Sequence, residues 1–208
     1  VRFFIKPLSQ GREIMSQMQT TLIAIGGLSG TGKTTLSDNL TQTFAEFANP
    51  PSNASISSDI VRKTLWAQEN GQEPDLYSPL PAEAYSSAYG AKAHEKMLAD
   101  IKANFDSEII IVDATFAKPE TRTDIENLAH DNNVKFIGLW LEAPIDTIKQ
   151  RADARAANEK TTSDANSMVI DLQIKAGTGD VSWTKINTDQ DKRSITSKAI
   201  GAIIPALR

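Results

Sequence analysis

Cysteine is missing from the 208 residues, and histidine occurs only as His94 and His130. Without thiols the chain can form no disulfide scaffold, thiolate zinc site, iron–sulfur ligation or cysteine nucleophile. The two histidines fall in helical stretches without metal-ligand spacing, so both read as structural or surface residues. Positive charge is not in excess either: 22 Lys and Arg stand against 26 Asp and Glu, a net charge of -4. No global positive field gathers nucleic acid or anionic lipid, so phosphate recognition would have to be local, and nucleic acid is not the expected partner. No apolar run approaches the roughly 18 residues of a membrane helix, and the opening Val-Arg-Phe-Phe-Ile-Lys-Pro breaks before a signal-type apolar region of about 7 residues can form. A cytoplasmic protein without membrane attachment is expected.

With 40% apolar and 23% charged residues the composition is that of a packed globular domain. The length suits one α/β domain better than two. Residues 1–20 lack periodicity and read as an extension or linker, leaving residues 21–208 as the domain. Within it, short apolar runs alternate with helical patterns. Strands are expected at 21–25, 54–57, 108–113, 134–141 and 183–186. Helices are expected at 33–47, where Leu36, Leu40, Phe44 and Phe47 share a face, and at 60–67, 82–104, 119–130, 144–154 and 165–176, with a last one at the C-terminal end. Pro74, Pro79 and Pro81 make 68–81 a long loop of functional length. This alternation implies right-handed crossovers and a five-stranded parallel sheet between two layers of helices.

The first strand runs into Gly27-Leu28-Ser29-Gly30-Thr31-Gly32-Lys33-Thr34, which matches G-x-x-x-x-G-K-[ST] between a strand and a helix. At this composition the pattern would arise by chance only about 0.006 times over the chain. Glycines 27, 30 and 32 let the backbone curl so that successive N–H groups, including those of Leu28, Ser29 and Thr31, converge on phosphate oxygens at a helix N-terminus. Lys33 brings a full charge to the β- and γ-phosphates, and the Thr34 hydroxyl is small enough to ligate Mg²⁺; Thr35 is the next helical residue of the same loop-to-helix junction.

Phosphate loops serve switches, motors and kinases alike. An Asn-Lys-x-Asp base-recognition pattern is absent, and the third strand ends in Asp113 without a following Glu, which favours transfer to a hydroxyl over hydrolysis. Parallel strands present ligands at their carboxyl ends, so Asp59 and Arg62 after the second strand, and Asp113 and Thr115 after the third, should face the loop. Asp59 has two readings: a carboxylate that orients and deprotonates an acceptor hydroxyl, and an N-cap for a helix beginning near Ile60. Arg62 reads as a clamp on an anionic acceptor group or as a surface arginine, and Asp113 as a Mg²⁺ carboxylate or a turn residue. Arg151 and Arg155, one turn apart before the polar stretch 157–164, fit a lid that carries charge over the phosphates; a solvated helix face is the other reading.

These blocks resemble a known group. Gly-Gly-Leu-Ser-Gly-Thr-Gly-Lys-Thr (26–34), Ser-Asp-Ile-Val-Arg-Lys (58–63), Ile-Val-Asp-Ala-Thr-Phe (111–116) and Gly-Leu-Trp-Leu-Glu-Ala-Pro (138–144) are similar to those of the P-loop small kinases. Within that group they resemble the ATP-binding domains fused to aminoglycoside-phosphotransferase-like domains, and more distantly the polynucleotide 5′-kinases. The resemblance spans about residues 20 to 190. It implies an adenylate-kinase-like P-loop fold with a helical lid, ATP and Mg²⁺ as cofactors, and a phosphotransferase-like domain or protein as a partner. By the same likeness Asp59 would be the general base, Arg62 a contact to the substrate's phosphate, and Arg151 and Arg155 the lid arginines. Phe116 stands where the polynucleotide kinases usually carry Asn, and their basic entrance is lacking. The expected activity is ATP- and Mg²⁺-dependent transfer to a hydroxyl of a small, anionic acceptor. A regulatory ATPase module acting on a protein partner and a 5′-hydroxyl nucleic-acid kinase remain the alternatives.

Overall fold

The computed structural model describes residues 19–47, 50–157 and 161–207. One parallel sheet has the strand order β2-β3-β1-β4-β5, with β1 at Thr21–Gly26, β2 at Asn53–Ser57, β3 at Ile109–Asp113, β4 at Lys135–Glu142 and β5 at Thr184–Asn187. The helices are α1 (Lys33–Ala45), α2 (Ser58–Glu69), α3 (Ser87–Ala103), α4 (Pro119–Asp131), α5 (Ile145–Ala156), α6 (Ser167–Ala176) and α7 (Lys192–Ile203). None of them is long and apolar enough to cross a membrane.

The central strands β1 and β3 are unbroken apolar runs because both of their faces are covered. Leu22, Ala24, Ile110 and Val112 point to the side where α2, α3 and α4 contribute Val61, Met97, Ile101 and Ile125. Ile23, Ile25, Ile109 and Ile111 point to the opposite side, against Leu36, Leu40 and Phe44 of α1 and Ala199 and Ile203 of α7. This is the expected three-layer α/β/α arrangement. The register pairs Asp113 with Ile25 on one side and with Ser57 on the other, so the carboxyl ends of β1, β2 and β3 meet along one edge.

Helices α5 and α6 form a small layer of their own. Ile148, Ala152 and Ile170 pack together there and close on Leu28 of the loop after β1. Of the polar stretch between these helices, 158–160 lie outside the described residues. At the other end of the chain, Thr20 already belongs to the sheet region: its hydroxyl donates to Phe105 O at 3.0 Å and its carbonyl accepts from Lys135 N at 2.9 Å. Gln19 is also described, with its Nε2 donating to Asn133 O at 2.5 Å, and residues 1–18 of the extension lie outside the described residues.

The continuous helix expected at 82–104 is interrupted. Ala82–Tyr85 form a single turn of 3-10 helix, Ser86 is extended at φ −58° and ψ 154°, and its hydroxyl accepts from Tyr89 N to start α3 afresh. A serine inside an apparently continuous helical pattern is thus acting as a cap.

Arg122 joins two loops that flank the site. It is 5% exposed, and its Nη1 donates to Phe116 O at 2.6 Å and Ala117 O at 3.2 Å, while Nη2 donates to Thr178 O at 2.7 Å and Asp180 O at 2.9 Å. The guanidinium lies over the Trp140 ring, 5.6 Å from its centroid. Phe116 holds a left-handed conformation, φ 46°, and its buried ring meets Trp183 edge-on at 5.2 Å. The bracket therefore fixes the loop after β3 and the segment leading into β5 together. Arg122→Met should lower stability by about 2–4 kcal/mol, because charge-assisted donors are lost to buried carbonyls. Arg122→Lys should recover only part of this, since an ammonium lacks the planar fork. Urea denaturation measures both, and an unchanged midpoint for Arg122→Met would show that the loops hold without the bracket.

Candidate active site

The loop after β1 folds back on itself before α1 begins. Gly30 has φ 83°, and a Cβ there would lie 2.2 Å from Ile148 O, so no other residue fits under α5. Gly32, at φ 92°, occupies the N-cap of α1 without offering a side chain, and a Cβ there would meet nothing within 4 Å. The first-turn N–H groups of α1 consequently have no side-chain cap and are open to an external anion. Thr31 Oγ1 and Lys33 Nζ both donate to Leu28 O, at 2.8 and 3.0 Å, so one carbonyl sets the loop's curl and steers the ammonium.

Asp113, 4% exposed, accepts from Thr34 Oγ1 at 2.5 Å. Burial pushes its carboxyl pKa up, which the Thr34 hydrogen bond and the Lys33 charge only partly offset. Lys33 responds in the opposite sense. Loss of solvent lowers its pKa to about 8 against the pull of Asp113 and Asp59, and Arg155 adds to the lowering. The mutual influence of these groups shows that Lys33, Asp113, Asp59 and Arg155 share one electrostatic environment.

They also share a cavity of about 660 Å³, into which Ser29, Gly30, Gly32, Thr34, Thr35, Arg62 and Thr115 contribute as well. Most of the expected site residues are therefore brought together. Gly27 and Leu28 stand behind the cavity: Gly27 N donates to Thr115 O at 3.1 Å, and Leu28 acts through its carbonyl and its packing under the α5–α6 pair. Asp59 is not the helix N-cap. The helix starts earlier than expected, at Ser58 after an extended Ser57, which places Asp59 in the first turn, where the helix dipole favours its charge. Arg62, one turn on, donates to Ala84 O at 2.7 Å and lies over the Tyr85 ring at 5.3 Å, so it is a fixed wall of the cavity and not a free surface arginine.

The two lid arginines separate. Arg155 faces the large cavity together with 161–165 of the polar stretch. Arg151 does not line it. Its Nη2 donates to Thr188 O at 3.0 Å, and it borders a second cavity of about 290 Å³ that Arg155, Thr31, Leu36, Gln190 and Ile195 also border. Thr188 follows β5, whose weak sequence signal gave no reason to look for a partner there. Thr35, read as the next helical residue, borders both cavities.

Three residues were missed altogether. Lys63, one of the largest fully buried side chains, donates to Asp164 Oδ1 at 2.9 Å and Ser78 O at 2.8 Å. Asp164 Oδ2 accepts from Leu80 N at 3.0 Å and from the Tyr85 hydroxyl. Burial alone would raise the Asp164 pKa, but the hydrogen bonds from Lys63, Tyr85 and Leu80 outweigh it and hold the carboxyl below its usual range. Burial and the same carboxylate raise the Tyr85 pKa. The clasp joins α2, the 70–81 loop and the stretch before α6. The third is Gln173 of α6, whose Oε1 accepts from Ser29 N at 2.9 Å and whose Nε2 donates to Ser29 Oγ at 3.0 Å. Lys63 lies inside a quoted block, whereas no local pattern singles out Asp164 or Gln173.

With this geometry the chain can be set among known proteins. A family model described as an AAA domain matches residues 22–177, and the chain belongs to that family. The fold is that of small P-loop kinases. A gluconokinase from Sinorhizobium meliloti is 14% identical, with a TM-score of 0.57 over 91% of this chain and 94% of its own. The APS kinase of Mycobacterium tuberculosis, solved with AMPPNP and APS, is 16% identical, with a TM-score of 0.65 over 89% and 98%. Kti12 of Chaetomium thermophilum, solved with ADP-AlF3, is 18% identical, with a TM-score of 0.62 over 88% and 98%. No curated protein matches the sequence.

The Lys33 shift has a defined sign. Its folded pKa of about 8 lies below the ordinary 10.5, so between these values the unfolded chain binds more protons and stability rises with pH. Lys33→Met removes this contribution. The stability of the wild type relative to Lys33→Met should therefore increase from about pH 8 to pH 10 in urea titrations. A pH-independent difference would mean that the Lys33 ammonium is not desolvated.

Proposed function

We propose that the protein is an ATP- and Mg²⁺-dependent phosphotransferase acting on a hydroxyl of a small, anionic acceptor. One observation carries this reading. Asp59 and Arg62 enter the same cavity as Lys33 from consecutive turns of α2, and among the described residues neither is held in an ion pair. A carboxylate and a guanidinium whose charges no described ion pair neutralises, beside a phosphate loop, suit an acceptor that offers both a hydroxyl and a negative charge. Hydrolysis alone would require neither.

In the proposed reaction the loop N–H groups and Lys33 hold the β- and γ-phosphates. Asp59 accepts the proton of the acceptor hydroxyl as its oxygen bonds to the γ-phosphorus, and the bond to the β–γ bridging oxygen breaks to leave ADP. Arg155 balances charge on the transferring group, and the α5–α6 layer keeps water out. The Thr34 hydroxyl and the Asp113 carboxylate, 2.5 Å apart, are hard oxygen donors of the kind Mg²⁺ takes. Among the described residues no cluster of three or more His, Cys, Asp or Glu suited to a metal occurs, so this pair is the site's candidate for the ion. Mg²⁺ held by these two oxygens would supply neutralising charge to the phosphates. The second cavity, with Leu36 and Ile195 and two guanidinium groups, suits a planar base.

The test is ADP release by the wild type, Lys33→Ala and Asp59→Asn, with and without each member of a panel of phosphorylated and carboxylated polyols and oligonucleotides. Acceptor-dependent release is expected from the wild type and loss of all turnover from Lys33→Ala. Asp59→Asn should lose about 10²- to 10⁴-fold of acceptor phosphorylation while its acceptor-free hydrolysis changes little. Release stimulated only by a protein partner would favour the regulatory ATPase. Near-wild-type transfer by Asp59→Asn would remove the base from this position.

A further inference from the structure

Gln173 is the one side chain of the α5–α6 layer with a described hydrogen bond to a backbone N–H of the phosphate loop. Helix α6 is anchored by Ile170, while Val169 and Gln173, one turn apart, face the large cavity. The amide makes a two-point contact with Ser29, accepting from its N–H at 2.9 Å and donating to its hydroxyl at 3.0 Å. Ser29 is 7% exposed and Gln173 half-buried, both at the edge of the large cavity. Its neighbour Leu28 holds the Lys33 ammonium through its carbonyl, and Ser29 borders the cavity of Asp59 and Arg62 but not the second cavity. On the phosphate-loop reading, on which this inference rests, the Lys33 end of the loop serves the terminal phosphates.

We propose that Gln173 discriminates nucleotides by the length of their phosphate chain. A γ-phosphate oxygen and Gln173 Oε1 are acceptors for the same donor, Ser29 N–H, and one must displace the other. A diphosphate that stops short of Ser29 leaves the amide in place. A triphosphate takes the N–H and turns the Gln173 carboxamide towards the cavity, while Ile170 keeps α6 packed beside the loop. The contact thus sets ATP affinity against the Gln173–Ser29 hydrogen bonds, and makes the place of the Gln173 carboxamide depend on whether a γ-phosphate is present.

Isothermal titration of MgATP and MgADP into the wild type, Gln173→Ala and Gln173→Glu tests this. Gln173→Ala removes the competitor and should bind MgATP roughly 3- to 10-fold more tightly, the worth of the exchanged hydrogen bonds, with MgADP changed by less than about twofold. Gln173→Glu keeps an acceptor at Ser29 N–H and adds a negative charge facing the γ-phosphate. It should weaken MgATP about tenfold or more and MgADP much less. Opposite signs for the two variants separate competition from packing damage, which would weaken binding in both. Unchanged or weakened MgATP binding by Gln173→Ala, or an equal shift for MgADP, overturns the proposal while the phosphate-loop reading stands. Failure of the wild type to bind either nucleotide overturns both.

Discussion

A carboxylate buried at the end of a strand is the constraint around which this site is organised. Asp113 closes a run of isoleucine and valine in the middle of the sheet, where an unanswered charge would be costly. The Thr34 hydroxyl answers it directly and the Lys33 ammonium answers it through space. Both donors are available there because parallel register sets the end of β1 beside the end of β3, so the loop after β1 can deliver its helix start to that point. The same register sets Ser57 on the other flank and brings the first turn of α2, with Asp59, to the cavity. One buried charge thus ties together the loop, its helix and the start of the neighbouring helix.

The protein is acidic overall, yet the cavity is supplied with cations by a division of labour among its basic residues. Arg122 is spent on four carbonyls, Lys63 on Asp164, and Arg151 on Thr188. Lys33, Arg62 and Arg155 line the large cavity, the first two each steadied by one backbone carbonyl. The Arg155 Nε is buried without a described hydrogen-bond partner, and its Nη2 contacts to Ser163 Oγ and Ala165 O are long at 3.4 Å each. A guanidinium held this loosely keeps its donors ready for an anion, in contrast with Arg122, whose shortest bond is 2.6 Å.

The sheet, the phosphate loop and most of the cavity residues were legible in the sequence because each is written locally. β3 is an uninterrupted apolar run ending in a charge, the loop carries spaced glycines and a lysine, and Asp59 and Arg62 follow a strand by a few residues. Element boundaries moved where a polar residue took a capping role, as at Ser86, or where a helix began before its first apolar residue, as at Ser58. What could not be read are contacts between residues far apart in the chain. Gln173 meets Ser29 across 144 positions and Lys63 meets Asp164 across 101, and no periodicity encodes either pairing. Arg151 and Arg155 look equivalent one turn apart on α5. Their different duties are decided by the loop after β5, which only the folded chain brings near.

The Asp164 clasp also bears on how the cavity lining can change. Arg62, Leu80 and Tyr85 form one part of the cavity lining. Two of these three residues are bonded to Asp164, which belongs to the stretch leading into α6. The third rests on Tyr85. Remodelling this lining therefore disturbs the stretch leading into α6 at the same stroke. The shape of the cavity and the attachment of the stretch before α6 are coupled traits in this chain, inherited or engineered together.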